Sequence, residues 1–151
     1  MEKEYKILVV NGDLFERTYL GLRHGNQYKA DTVDVKGDVD DNDLIAFAGR
    51  VAASKYKERL AEDRESMQGP VMKENVANAF IVDPQGMSED LFEQCWIPSD
   101  NVLYAVSITM PFTDEKPKVD LYNNEDLKQL EISYSERQAR ADESIKNHFG
   151  R

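Results

Sequence analysis

Four aspartates fall within six residues, Asp38, Asp40, Asp41 and Asp43, and with Asn42 they are the first side chains here that could do chemistry. Asp38, Asp40 and Asn42 alternate as the opening oxygen ligands of a calcium loop do. Such a loop next requires glycine at its sixth position and a bidentate glutamate at its twelfth. Those positions hold Asp43 and Gly49, so the familiar calcium loop is not encoded. A looser Mg²⁺ or Ca²⁺ site is the metal alternative; no metal or cofactor is expected. Acids in a first helical turn also offset the positive helix end, each by about 0.3–1 kcal/mol. Capping explains one or two of these carboxylates. The surplus makes this stretch a candidate contact surface.

A second acidic set, Glu89, Asp90 and Glu93, precedes Trp96. It belongs to a wider field from Asp83 to Glu131 with 11 acids against 3 bases, interleaved with Phe92, Trp96, Phe112, Tyr122 and Leu127. Carboxylates mixed with aromatic rings suit a basic groove, including one built for nucleic acid, and Trp96 is the kind of residue that anchors an interface. The expected binding residues are therefore Asp38, Asp40, Asp41, Asp43, Glu89, Asp90, Glu93 and Trp96.

Catalytic signatures are missing. The chain has no phosphate-cradling glycine loop, no Gly-x-Ser-x-Gly elbow and no His-Glu-x-x-His. His24 sits at an expected turn and His148 in an expected last helical turn, neither beside residues that suggest a triad. Cys95 is the single cysteine, which excludes an internal disulfide and a thiolate metal cluster. It reads as a small buried apolar residue. No catalytic residue is assigned.

These residues must be positioned by one domain, 1–151, because 151 residues are too few for two comfortable ones. The net charge of −10 argues against a phosphate-backbone binder, which needs clustered Lys and Arg. It also repels anionic membrane surfaces and favours a basic protein partner. The imbalance is greater in the second half: Met1 to Asn75 carries 15 acids and 12 bases, Val76 to Arg151 carries 14 and 7. No apolar run approaches the ~18 residues of a membrane span. The opening Met1-Glu2-Lys3-Glu4-Tyr5 lacks a secretory pattern, so a cytoplasmic location is expected.

Tyr5 to Val10 reads as a buried strand. At Asn11-Gly12-Asp13 two readings compete. Asn-Gly favours a hairpin with Leu14 to Leu22 as a second strand; alternatively Asp13 caps a helix, with Glu16 completing a capping box. The absence of clean alternation over 14–22 favours the helix. Tyr28 to Val35 reads as a strand, then the acid-headed helix runs from Asp43 to Met67. Gln68-Gly69-Pro70 stops it, and a loop extends to Asn78. Ala79 to Val82 reads as a short buried strand, Ser88 to Trp96 as a short helix, and Val102 to Met110 as the longest strand. Phe112 to Lys118 is a charged connection. Leu127, Leu130, Tyr134, Ala141, Ile145 and Phe149 recur at helical spacing in a terminal helix. The alternation of Leu130, Ile132 and Tyr134 with Glu131, Ser133 and Ser135 allows a rival strand there.

The run Lys6-Ile7-Leu8-Val9-Val10-Asn11-Gly12-Asp13, with Leu14-Phe15-Glu16-Arg17 after it, resembles the first strand and helix of response-regulator receiver domains. Phe80-Ile81-Val82-Asp83-Pro84 resembles the strand that carries their phosphoacceptor aspartate, with Ser107 or Thr109 matching the following hydroxyl residue. The resemblance implies a doubly wound sheet with Asp83 as acceptor. It departs at the Mg²⁺-holding acidic pair, where Asn11 and Gly12 leave only Asp13. It departs again at the lysine, since Lys116 and Lys118 lie in a proline-containing connection.

The expected fold is α/β or α+β, a single mixed-sheet domain of four to five strands packed by a long central helix and a C-terminal helix. The expected function is a small, acidic, non-catalytic binding or regulatory protein. Its sharper form is an inhibitor, a nucleic-acid mimic occupying a basic groove as phage or mobile-element anti-defence proteins do. The alternative is a divergent receiver-like or divalent-metal-binding domain.

Overall fold

A computed structural model of the chain describes residues 3–23, 30–65, 74–87, 97–111 and 116–149. Among the described residues there are five strands: β1 (Glu4–Val9), β2 (Asp31–Lys36), β3 (Val76–Val82), β4 (Val102–Thr109) and β5 (Lys118–Asn123). Three α-helices accompany them there: α1 (Phe15–Arg23), α2 (Asp41–Glu65) and α3 (Asn124–Phe149). The spatial strand order is β2-β1-β3-β4-β5. Every ladder is antiparallel, so the fold is α+β and the expected mixed sheet is a uniform one.

Alternation along the strands sorts side chains into two cores. Tyr5, Ile7 and Val9 of β1, Ala77, Ala79 and Ile81 of β3, and Val106 and Ile108 of β4 pack with Leu44, Ala48, Ala52 and Tyr56 of α2. Leu8, Val10, Phe80, Val82 and Ala105 point to the other face and pack with Phe15, Tyr19 and Leu22 of α1 and Leu127 of α3. The sheet is thus covered on both sides. This explains why β3, buried at all seven positions, reads as a continuous apolar run rather than an alternating one.

Helix α2 forms because Leu44, Ala48, Ala52 and Tyr56 lie one turn apart on a single buried stripe. A side chain at Gly49 would stand 3.7 Å from the Ile108 side chain and 3.8 Å from that of Val106, so the helix lies close over β4. Gly49 makes this approach, whereas Ala46 is exposed. On the opposite face Phe15 stacks on Tyr122 at 4.1 Å between centroids and 5° between planes, fixing α1 against β5.

Several expectations change. The hairpin reading of 14–22 is replaced by α1, and the rival strand at 130–135 by α3. The expected capping box is not formed: Leu14 supplies the first helical acceptor, Asp13 takes the Leu14 N–H and Arg17, and Glu16 pairs with Arg137. Strand β3 begins at Val76, because buried Asn78 finds partners within the sheet and need not lie in a loop. Strand β5 replaces the end of the expected connection. The short helix expected over 88–96, with Glu89, Asp90, Glu93, Cys95 and Trp96, lies outside the described residues. Among the described residues no helix is long and apolar enough to cross a membrane.

Candidate binding surface

The antiparallel order gives the sheet two dissimilar ends. Lys36 pairs with Glu4, Lys6 with Val82, Ile81 with Tyr104, and Tyr104 with Asn123. One end therefore gathers the exit of β2, the exit of β3, the entry to β4 and the exit of β5. Both long helices also start there. Asp38, Asp40, Asp41 and Asp43 arrive with α2, Asp83 follows β3, Asp100 precedes β4, and Glu125 and Asp126 open α3. Eight carboxylates from four separate segments thus share this end.

Part of this acidity is structural. The Asp40 carbonyl accepts from the Leu44 N–H at 2.9 Å and its carboxylate accepts from the Asn42 N–H at 3.3 Å, which makes Asp40 the cap of α2. Asn123 and Asp126 cap α3 reciprocally, each side chain accepting from the other's backbone N–H at 2.8 and 3.0 Å. Asp83 accepts from the Gln85 N–H in the turn after β3, and Asp100 lies 3.4 Å from the Lys128 ammonium. The Tyr104 hydroxyl donates to Asp41 at 3.1 Å, and this bond to a carboxylate raises the phenol above its ordinary value of 10.0.

Asp38, Asp43 and Glu125 remain. All three are exposed and have no hydrogen bond or ion pair among the described residues. Asp38, Asp40, Asp41 and Asp43 thus stand together in solvent at the start of α2, while Glu89, Asp90, Glu93 and Trp96 lie outside the described residues. Among the described residues no three His, Cys, Asp or Glu side chains are placed to hold a metal ion. The field of this surface can attract cations and basic side chains. Sequence reasoning missed Asp100, Glu125 and Asp126 as members of this end; only the strand order brings them to the end of the sheet where α2 starts.

The opposite end carries Asn11, Gly12 and Asp13. There the Asn11 amide donates to the Ala52 carbonyl at 2.9 Å and its side-chain oxygen accepts from the Asn78 N–H at 2.6 Å. Asn78 donates to the Asp13 carbonyl and accepts from the Ser107 hydroxyl, both at 2.9 Å. Arg59 donates to the Asn11 carbonyl at 2.9 Å. Gly12 takes a φ of 90°, which a side chain would disfavour, and its N–H bonds the Val76 carbonyl.

This arrangement disperses the receiver-like residues. Because β1 and β3 are antiparallel, Asp13 and Asp83 lie at opposite ends, separated by a strand length of roughly 20 Å. Ser107 belongs to the Asn11 end and is engaged by Asn78. Phosphoryl transfer to Asp83 needs charge-stabilising groups around it, and the sheet does not bring these together. The chain matches no protein-family model, no curated protein and no solved structure.

Proposed function

We propose that this protein is a non-catalytic binding protein that regulates a partner by setting the acidic end of its sheet against a basic surface. The observation that supports this reading is the assembly of Asp38, Asp40, Asp41, Asp43, Asp83, Asp100, Glu125 and Asp126 at one end of an antiparallel sheet. Two helix N-termini lie at that end, on opposite faces of the sheet, and their positive ends stabilise nearby carboxylates without neutralising them. With a net charge of −10, the field steers basic partners inward and keeps nucleic acid and anionic membranes away. In its sharper form the reading is a small inhibitor that mimics nucleic acid and fills a basic groove, in the manner of phage or mobile-element anti-defence proteins.

Affinity capture with mass spectrometry tests it, comparing the parent protein with a variant carrying Asp38→Lys, Asp41→Lys, Asp43→Lys and Asp40→Asn. Asparagine at 40 preserves the cap. A partner with a basic surface should be held by the parent, more tightly as salt falls, and lost by the variant. A parallel Glu89→Lys, Asp90→Lys, Glu93→Lys variant examines the second acidic set. Equal retention by both variants at every salt concentration would remove the reading.

A further inference from the structure

The two edges of the sheet are finished differently. On β2, Asp31, Thr32, Asp34 and Lys36 are exposed, and Lys6 of the neighbouring strand pairs with Asp34 at 3.1 Å. Charges of this kind discourage another strand from pairing. On β5 the exposed residues include Val119 at 60 % and Leu121 at 51 %, and Pro117 just before the strand is exposed as well. Val119 and Leu121 lie opposite Ile108 and Val106, so they share the α2 face of the sheet. Lys118, Asp120 and Tyr122 alternate with them and take the other face, where Tyr122 stacks on Phe15. Among the described residues β5 pairs only with β4, and that ladder keeps an unbroken register.

We infer that the outer edge of β5 pairs with the same edge of a second copy, antiparallel and centred on Val119, so that the two sheets join into one. In this register the strand is complementary to itself. With Val119 opposite Val119, Lys118 of each copy faces Asp120 of the other, and Pro117 faces Leu121. One face of the junction then carries opposite-charge pairs in both directions. The α2 face carries Pro117, Val119 and Leu121 of each copy in one apolar strip. A two-fold axis makes each of these contacts twice, as a symmetric dimer requires. Pro117 stands at the end of the ladder, where a missing N–H is tolerated. Neighbouring registers lose the match: centring on Asp120 opposes two aspartates, centring on Lys118 opposes two lysines, and centring on Leu121 sets Val119 against Asn123. Each copy carries a net charge of −10, and the geometry limits the repulsion. Antiparallel pairing points the two acidic ends away from each other. Asn123, at the acidic end of β5, stands four residues past the axis in each copy. The two are therefore roughly 27 Å apart, beyond the Debye length of about 8 Å at physiological ionic strength. The inference goes beyond the reading of the acidic end and leaves that surface uncovered.

Sedimentation equilibrium of the full chain over a concentration series tests it, with circular dichroism confirming that each variant is folded. The parent should dimerise reversibly, and the amide chemical shifts of 118–123 should move with concentration. Val119→Lys, at an exposed position, should weaken the dimer at least tenfold. Lys118→Asp and Asp120→Lys should each weaken it about tenfold, by turning attractive cross-strand pairs into repulsive ones. The double variant Lys118→Asp with Asp120→Lys should recover most of that loss, and a mixture of the two single variants should form the mixed dimer. A chain that stays monomeric at every concentration, or a dimer indifferent to Val119→Lys, would overturn the inference. So would a double variant no better than either single one. Asp120→Lys also lowers the net charge, so a stronger dimer in that variant would mark general repulsion as the controlling effect and remove the Val119-centred register. A monomer whose 118–123 amides shift only with a captured partner would give the edge to that partner instead. Reversing Asp38, Asp41 and Asp43 should leave the dimer intact, so the acidic-end reading and this one fail separately.

Discussion

Both ends of the sheet are rich in polar side chains, and they use them in opposite ways. At the Asn11 end the side chains turn inward: Asn11 is 6 % exposed, Asn78 0 % and Ser107 5 %, and their bonds tie β1, β3, β4 and α2 to one another. At the acidic end the carboxylates stay in solvent apart from the half-buried Asp83, and among the described residues only Asp40, Asp126 and Asp83 bond to nearby backbone. Burial makes the first set a structural lock, because an unsatisfied polar group inside costs about 1–3 kcal/mol. Exposure leaves the second set nearly neutral for folding and available for contact. The proposed contact surface is made of the polar groups that the fold does not need.

The strongest way to break this contrast is to open the lock. Asn78→Ala removes two side-chain bonds and strands the Asp13 carbonyl and the Ser107 hydroxyl. It should lower stability by about 3 kcal/mol, summing two such losses, read as a lower urea midpoint with an unchanged slope. A loss below about 1 kcal/mol would show that water substitutes for Asn78 and that the two ends differ less than the geometry indicates.

Next comes Tyr19, whose buried hydroxyl has no hydrogen-bond partner among the described residues, as is also true of the Arg59 Nε at the Asn11 end. Burial, with Glu131 adding to it, pushes this phenol up to about 12. The folded value lies above the unfolded 10.0, so the protonated form is favoured by folding and its stabilisation is complete below pH 10. Stability should then fall as pH rises from 10 to 12, by up to about 1.4 kcal/mol per pH unit. Tyr19→Phe should be neutral or stabilising by as much as about 1 kcal/mol, and should flatten that decline. Urea melts at pH 9 and pH 11 compare the two proteins; equal slopes in both would remove Tyr19 as the source.

Smaller still is the cap. Asp40→Ala should cost about 1 kcal/mol, whereas Asp38→Ala and Asp43→Ala should each change stability by less than about 0.5 kcal/mol. Thermal melts of the three variants rank them. A loss at Asp38 or Asp43 as large as that at Asp40 would make the acidic end structural throughout.

The sequence showed the lock and the acidic end unequally. An acid-capped α2 was legible because a cap, an acidic turn and a helical apolar stripe are local patterns, although the start was read at Asp43 instead of Asp41 and Asp40 was not singled out as the cap. Asn78 was hidden, since a buried asparagine in a strand is recognisable only from its partners, Asp13 and Ser107, 65 and 29 residues away. Strand β5 was overlooked because Pro117 and the charges near it read as a connection, although Val119, Leu121 and Asn123 alternate with Asp120 and Tyr122. The receiver-like motifs misled for a related reason. Strand-end aspartates resemble one another locally, and only strand direction decides whether they meet. Asp100, Glu125 and Asp126 join Asp41 through non-local pairing, which no spacing in the chain encodes.

The finest discrimination lies within the acidic end, at Asp41. Its carboxylate accepts from Tyr104, a residue of β4, so it stands between the capping Asp40 and the unbonded Asp38 and Asp43. The bond stabilises the protonated phenol, and the nearby negative charge disfavours its ionisation further. Asp41→Asn removes the charge and should return the Tyr104 phenol toward 10.0 without unfolding the helix. Ultraviolet titration of phenolate, with the Tyr104→Phe spectrum subtracted, isolates the change. Because both partners are exposed, water and salt weaken the bond, and the melting midpoint should barely move. An unshifted titration would show that Asp41 is as free as Asp43 and extend the open surface to the edge of β4. A shifted titration with a large loss of stability would place Asp41 with the lock instead, and leave Asp38 and Asp43 as the contact residues of the α2 start.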